Sequence, residues 1–165
     1  MQINPSTRTT SSTLPQMADT QDVIKRLNDL IETCKDGEYG FRTCAEQAKS
    51  PQLKNLLTTR ADGCAQAAQE LQRCVLDLGG KPDTSGSLAG AMHRGWVAVR
   101  SALSTLNDHA VLDECERGED VALKAYREAL ASDLPPDIRE IVERQAQGAQ
   151  RNHDQVKAMR DSLPH

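Results

Sequence analysis

Apolar residues recur every three or four positions along most of the chain, which is the period of one face of an α-helix. The first series follows a candidate N-cap at Asp19 or Thr20 and ends at the Ser50-Pro51 break. Proline suits the first turn of a helix, so a second helix is expected to begin there. The first series consists of Val23, Leu27, Leu30, Cys34, Gly37, Phe41, Cys44 and Ala48. This pattern predicts one long bundle-facing helix.

Three further series predict three more long helices and a short one. The long helices are expected over about 52–78, 107–132 and 136–162, with Gly-Gly-Lys-Pro and Pro-Pro sequences between them. The connection over 79–105 holds a shorter amphipathic series. Its apolar members are Leu88, Met92, Trp96, Val99 and Leu103. Strand-like alternation of apolar and polar residues is missing from the sequence, which predicts an all-α chain.

The lengths of the connections predict how the helices are arranged. Short breaks join the first two long helices and the last two, so each pair is expected to be antiparallel. The connection over 79–105 can run the length of a bundle, which would make the second and third long helices parallel. We therefore predict a four-helix bundle over 19–163 with one long crossover that contains a short extra helix. Residues 1–18 are rich in Ser, Thr and Pro, which predicts a disordered tail.

Charged residues interrupt the apolar faces of the long helices. A helix rises about 1.5 Å per residue, so heights along the bundle can be compared for the crossover arrangement. One polar residue from each long helix falls within about one turn of the same height, and a further acid lies a turn away. These residues are Glu38, Arg60, Glu116 and His153, with Glu119 as the further acid. The sequence therefore predicts a buried polar layer near the middle of the bundle.

Two interpretations account for this layer, and the first is an ion-pair network. The Arg60 guanidinium would pair with Glu38 and Glu116 and hold the buried carboxylates in their ionised form. Such a layer is structural, and it favours a protein that is not an enzyme. Breaking a buried pair of this kind is strongly destabilising, which makes the interpretation testable.

The second interpretation is a metal site. Carboxylates and an imidazole at a bundle centre suit iron, manganese or zinc, with Glu38, Glu116, Glu119 and His153 as the candidate ligands. A full di-iron site needs a Glu-x-x-His sequence in each of two helices. The second helix has none, and the last helix has Gln150-x-x-His153 instead. A two-metal site for oxygen chemistry is therefore incomplete in this sequence.

The cysteines offer a third candidate chemistry, because thiolates favour Cu(I). The five cysteines are Cys34, Cys44, Cys64, Cys74 and Cys115. Those of the first two helices are ten residues apart within each helix, which separates their thiols by about 15 Å and favours a role as small apolar core residues. An odd number of cysteines without a CxxC pair favours reduced thiols and a cytoplasmic location.

Composition and charge narrow the function classes. The net charge is −4 and no basic run occurs, so a nucleic-acid partner is not expected. No apolar run is long enough for a leader or a membrane span, so a membrane partner is not expected either. A homo-oligomer or a protein partner is the expected mode of action. The acids Asp113, Glu114 and Asp120 are predicted to form a solvated face.

Five segments resemble a known family: LNDLIETCKDGEYGF, AQELQRCVLDLGGKP, GAMHRGWVAVRSAL, ECERGEDVALKAY and NHDQV. They are similar to the bacterial ferritin-like four-helix-bundle proteins that are classified as a domain of unknown function. The resemblance covers about 20–162, and its most specific parts are ECERGED and HRGW. It implies a ferritin-like bundle in a soluble bacterial protein, but it implies no reaction.

Ferritin-like proteins in the broader sense bind di-iron, and this sequence departs from their ligand motif in the second helix and at Gln150. The expected function is therefore a non-enzymatic ferritin-like bundle with a structural or stress-related role. Binding of iron or manganese at a degenerate di-metal site is the first alternative. Binding of Cu(I) by thiols is the second.

Overall fold

The computed structural model of the chain describes residues 13–83 and 107–163, with side chains from residue 19 onward within these ranges. Four α-helices account for most of the described chain. They are α1 (Thr13–Gln47), α2 (Pro51–Asp77), α3 (Asp108–Leu130) and α4 (Pro136–Ser162). Strands are missing from both described ranges, so the prediction of an all-α chain with four long helices is confirmed there.

The start of α1 differs from the prediction. The helix begins at Thr13, whereas the sequence pattern placed its cap at Asp19 or Thr20 and assigned residues 13–18 to a disordered tail. Pro15 is compatible with this early start, because the first turn of a helix has no intrahelical acceptor for its amide groups. The predicted short helix of the crossover and the rest of the predicted tail lie outside the described residues.

Local sequence signals explain the other helix boundaries. At the start of α2 the Ser50 hydroxyl accepts a hydrogen bond from the Leu53 amide at 3.3 Å. At the start of α3 the Asn107 side chain accepts one from the Ala110 amide at 2.9 Å. Both are N-caps that satisfy amides of the first turn. Gly79 ends α2 with φ +84°, a left-handed conformation that favours glycine.

One polar contact fixes the direction of α3. The Asp108 carboxylate accepts hydrogen bonds from the backbone amides of Lys49 and Ser50, at 2.9 and 3.0 Å. The start of α3 therefore lies beside the turn between α1 and α2, at the opposite end of the bundle from the end of α2. Helices α2 and α3 run parallel, which is the direction that a long crossover between them requires.

The interior holds two apolar clusters, one in each half of the bundle. The cluster nearer the end of α2 has as its most buried large members Leu27, Leu30, Ile31, Leu71, Val75 and Val142. The cluster nearer the α1–α2 turn includes Phe41, Leu53, Leu57, Val111, Leu112 and Val156. Along α3 and α4, Glu119 and His153 lie between the two clusters, and the Arg60 side chain reaches Glu119 from α2.

The four helices pack against one another to different extents. Helix α1 packs against α2 and α3, and α3 packs against α4, whereas α2 and α4 make only slight contact. Helices α2 and α3 therefore lie diagonally across the bundle. A groove lined partly by Leu56, Gln155 and Met159 follows the loose edge between α2 and α4. Among the described helices, none combines the length and apolar character needed to cross a membrane.

Candidate functional site

A buried ion pair, formed by Arg60 and Glu119 and called here the central ion pair, links the two diagonal helices. Arg60 extends from α2, and its Nη2 donates to Glu119 Oε2 at 3.0 Å. Its Nε donates to the other carboxylate oxygen of Glu119. Glu119 is fully buried, and only 10% of the Arg60 side chain is exposed. Two parallel hydrogen bonds between a guanidinium and a carboxylate form one of the strongest polar contacts in proteins.

Burial and charge act on the central ion pair in opposite directions. Burial raises the pKa of Glu119, while the hydrogen bonds and the positive charge of Arg60 act to lower it. Burial alone would lower the pKa of Arg60, but the bond to Glu119 outweighs it and the pKa of Arg60 is raised. The Arg60 guanidinium also lies 5.3 Å from the centre of the Phe41 ring, close enough for a cation–π contact. The arginine is thereby held as a cation inside the bundle.

Glu38 does not belong to this centre. Arg42, on the next turn of α1, donates to Glu38 at 3.0 Å and to Asp62 on α2 at 2.9 Å. The Glu38 side chain is 34% exposed, at the outer edge of the contact between α1 and α2. The predicted pairing of Arg60 with Glu38 is therefore wrong. The core-facing stripe of α1 passes through Gly37 and Phe41, and Glu38 flanks it on the side toward Arg42.

Glu116 is held by a different arginine from the predicted one. Arg160 Nη1 on α4 donates to Glu116 Oε2, and the same nitrogen lies 3.4 Å from Asp113. The predicted pairing of Arg60 with Glu116 is thus also wrong, because Glu119 takes that place. Sequence reasoning missed Arg160, although one signal was present. It follows the core residue Val156 by one helical turn, so both lie on the same side of α4.

His153 joins two acids of α3 at the contact between α3 and α4. Its Nε2 lies 2.9 Å from Asp120 Oδ1 and 3.7 Å from Glu116 Oε1. Glu116, Asp120 and His153, called here the seam cluster, each offer one ligand atom within 4.8 Å of the others. Asp120 is 62% exposed, as expected for a solvated face, but it also takes part in this cluster.

The full di-metal ligand set is not assembled in the described part of the chain. Glu38 is bound to Arg42, and Glu119 is bound to Arg60. Gln150 donates to the exposed Asp154 at 2.9 Å, away from the bundle centre. Of the four predicted metal ligands, only Glu116 and His153 lie together. The arrangement therefore does not fit two metal ions bridged by carboxylates at the bundle centre.

The family model that matches this sequence is described as a domain of unknown function (DUF2383), and it matches residues 22–132. The chain belongs to this family. The matched range contains α2, α3 and most of α1, and therefore both residues of the central ion pair. His153 and Arg160 lie beyond it, on α4. The comparison with curated proteins gave no match.

All five cysteines lie in the range that the DUF2383 model matches, and all are free and buried. Cys44 on α1 and Cys115 on α3 meet across helices. A hydrogen bond with Cys44, together with burial, raises the pKa of Cys115 well above its usual value. Burial raises the pKa of Cys64 to about 12. These thiols are neutral near pH 7, which agrees with a role as small core residues, and Cu(I) binding stays a prediction.

A second polar chain connects all four described helices, in the half of the bundle opposite Arg160. Cys34 Sγ lies 3.5 Å from the Tyr126 hydroxyl, which donates to Gln145 at 2.9 Å. The Gln145 amide donates in turn to Glu70 at 2.7 Å. Gln145 is partly buried, and its side-chain amide is satisfied on both sides.

Proposed function

We propose that the protein is a non-enzymatic ferritin-like four-helix bundle in which a fixed guanidinium occupies the place of catalytic metal ions. The helix directions support the ferritin-like assignment, since α2 and α3 run parallel and a long connection joins them. The observation that carries the proposal is the bidentate bond between Arg60 and the fully buried Glu119. An arginine is not deprotonated in proteins and has no redox chemistry, so this centre stabilises the fold.

Metal analysis of the purified protein tests this proposal directly. Protein prepared without chelator is expected to contain no iron or manganese that depends on Glu119. The Arg60→Leu variant is expected to gain none, because Glu38 and Glu116 are held elsewhere and Glu119 alone remains. Metal analysis of the wild type, Arg60→Leu and Glu119→Gln decides the point. Stoichiometric iron in the wild type that is lost in Glu119→Gln would contradict the proposal.

The seam cluster favours a second candidate function, the binding of a single divalent transition-metal ion. Two carboxylates and an imidazole are suitable ligands for zinc, manganese or iron, with water filling the remaining positions. Arg160 opposes binding, because its guanidinium is bonded to Glu116 and would repel the ion. The cluster is therefore best described as a site for weak or regulated metal binding.

Calorimetric titration with Zn²⁺ and Mn²⁺ tests this second candidate. His153→Ala should lose binding, and Arg160→Gln should bind more tightly because Glu116 is released. His109→Ala is the matched control, since His109 is another histidine beside an acid, 3.5 Å from Asp113, outside the cluster. Equal affinity in the wild type and His153→Ala would reject the seam cluster as a metal site.

We further propose that the protein works in the cytoplasm through self-association or a protein partner, in a structural or stress-related role. Five buried, free cysteines support a reducing compartment. The loose edge between α2 and α4, with partly buried Leu56 and Met159, is a surface that a second chain could cover. Light scattering during size-exclusion chromatography tests self-association, and a monomer at micromolar concentration would leave only a separate partner.

A further inference from the structure

A cavity of about 140 Å³ lies between α1 and α3, with α2 forming its floor. Most of its wall is apolar and built from small or flat side chains. Gly37 and Phe41 contribute from α1, Ala67 from α2, and Val121 and Ala122 from α3. Gly37 on α1 and Gly118 and Ala122 on α3 leave this space open, because their side chains are absent or small. It is called here the α1–α3 cavity.

A few polar groups converge on the same space. Arg60, Cys34, Cys64 and Tyr126 line the inner wall, and the buried Asp36 lines α1. The charge of Arg60 is already compensated by Glu119, and burial keeps the Cys64 thiol neutral. Burial also raises the pKa of Asp36 to about 7, so its carboxyl can act as a donor or as an acceptor near neutral pH. The cavity therefore has hydrogen-bonding capacity with little net charge.

Size and chemistry together define what fits. An apolar cavity of about 150 Å³ is large enough to hold a benzene molecule. Ligand sites are typically concave and mostly apolar, with a small number of placed polar groups, and perturbed acids often mark them. A charged ligand is disfavoured, because both guanidiniums of the cavity wall are paired with carboxylates, Arg60 with Glu119 and Arg117 with Glu114. A neutral ligand with one polar substituent matches both parts of the wall.

We propose that the α1–α3 cavity is a binding site for a small neutral aromatic molecule that carries one hydroxyl group, of about the size of phenol. Its ring would lie against Phe41, Val121 and Ala122, and its hydroxyl would face the polar wall near Tyr126 and Asp36. The molecule would enter between α1 and α3, where Thr33 and Val121 are partly exposed. This inference is independent of the function proposed above, since it needs neither a metal nor a partner protein.

Titration with phenol and toluene, followed by amide and methyl NMR shifts, tests the inference. Phenol should produce saturable shift changes centred on Phe41, Val121 and Ala122, and toluene should bind more weakly because it lacks the hydroxyl. Ala122→Leu fills the cavity and should weaken phenol binding about tenfold or more. Ala125→Leu is the matched control, an equal enlargement on α3 outside the cavity wall, and should bind phenol like the wild type.

A second variant, Val121→Phe, keeps the test valid if Ala122→Leu does not fold. Val121 lies at the partly exposed rim of the cavity, where a larger side chain closes the entrance and disturbs the core packing less. Weakened phenol binding in this variant supports the inference if its thermal melt stays cooperative. Shift changes that do not saturate, toluene binding as tightly as phenol, or unchanged affinity in both filled variants would overturn it.

Discussion

At the scale of single residues, the interior is defined by which charged side chains lie inside the helical stripes and which flank them. Glu119 continues the stripe of Cys115, Leu123 and Tyr126, and it is fully buried. Glu116 flanks that stripe and meets α4 instead. Counting heights along the helix axes singled out Arg60 and Glu119, which form an ion pair. It could not assign partners, because height does not fix the direction in which a side chain points around its helix.

Asp36 is a buried acid that the sequence pattern did not single out, since it neighbours the glycine of the α1 stripe. Burial raises its pKa from 3.8 to about 7, so the folded protein holds this proton more tightly than the unfolded chain. The stabilising effect is complete below the unfolded pKa and is lost as pH rises through about 7. Glu32 acts in the same direction, because burial and Asp83 raise its pKa to about 7.

Replacing Asp36 with asparagine removes one of these titrations. Between about pH 5 and about pH 8 the free energy of unfolding should fall less in Asp36→Asn than in the wild type. Chemical denaturation at several pH values measures the difference. Asp22→Asn, at an exposed position on the same helix, is the control. Identical pH dependence in Asp36→Asn and the wild type would contradict the role given to burial at Asp36.

At the scale of helices, the sequence signals were sufficient where they were local. Pro51, Asn107 and the Gly-Gly pair after α2 marked boundaries that the structure reproduces. The start of α1 was misplaced, because Asp19 and Thr20 resemble a cap although the helix continues through them. The contact between Asp108 and the α1–α2 turn could not be predicted, since it joins residues about sixty positions apart.

Removing that contact should weaken the alignment of α3 with the first two helices. In Asp108→Ala the amides of Lys49 and Ser50 lose a charged acceptor, which should cost about 1–3 kcal/mol of the free energy of unfolding. Urea denaturation gives the value. Glu128→Ala, on the exposed face of α3, should stay within about 0.5 kcal/mol of the wild type. Equal stabilities for the two variants would show that Asp108 does not tie the helices together.

At the scale of the whole molecule, the interior of the described bundle holds two apolar clusters and a charged contact between diagonal helices. Helices α2 and α3 are otherwise not neighbours, so the central ion pair links the two antiparallel hairpins through the interior. Apolar periodicity predicted the described helices and their order, and connection length predicted their directions. The family match covers α2, α3 and most of α1. Its description as a domain of unknown function assigns no reaction.

A double-mutant cycle on Arg60 and Glu119 tests the central claim most directly. Each single variant, Arg60→Leu and Glu119→Leu, strands a buried charge and should lower the free energy of unfolding by about 3–5 kcal/mol. The double variant leaves no charge stranded, so it should be far more stable than the sum of the single losses implies. Single variants that melt like the wild type, or losses that simply add, would contradict a bundle centred on this ion pair.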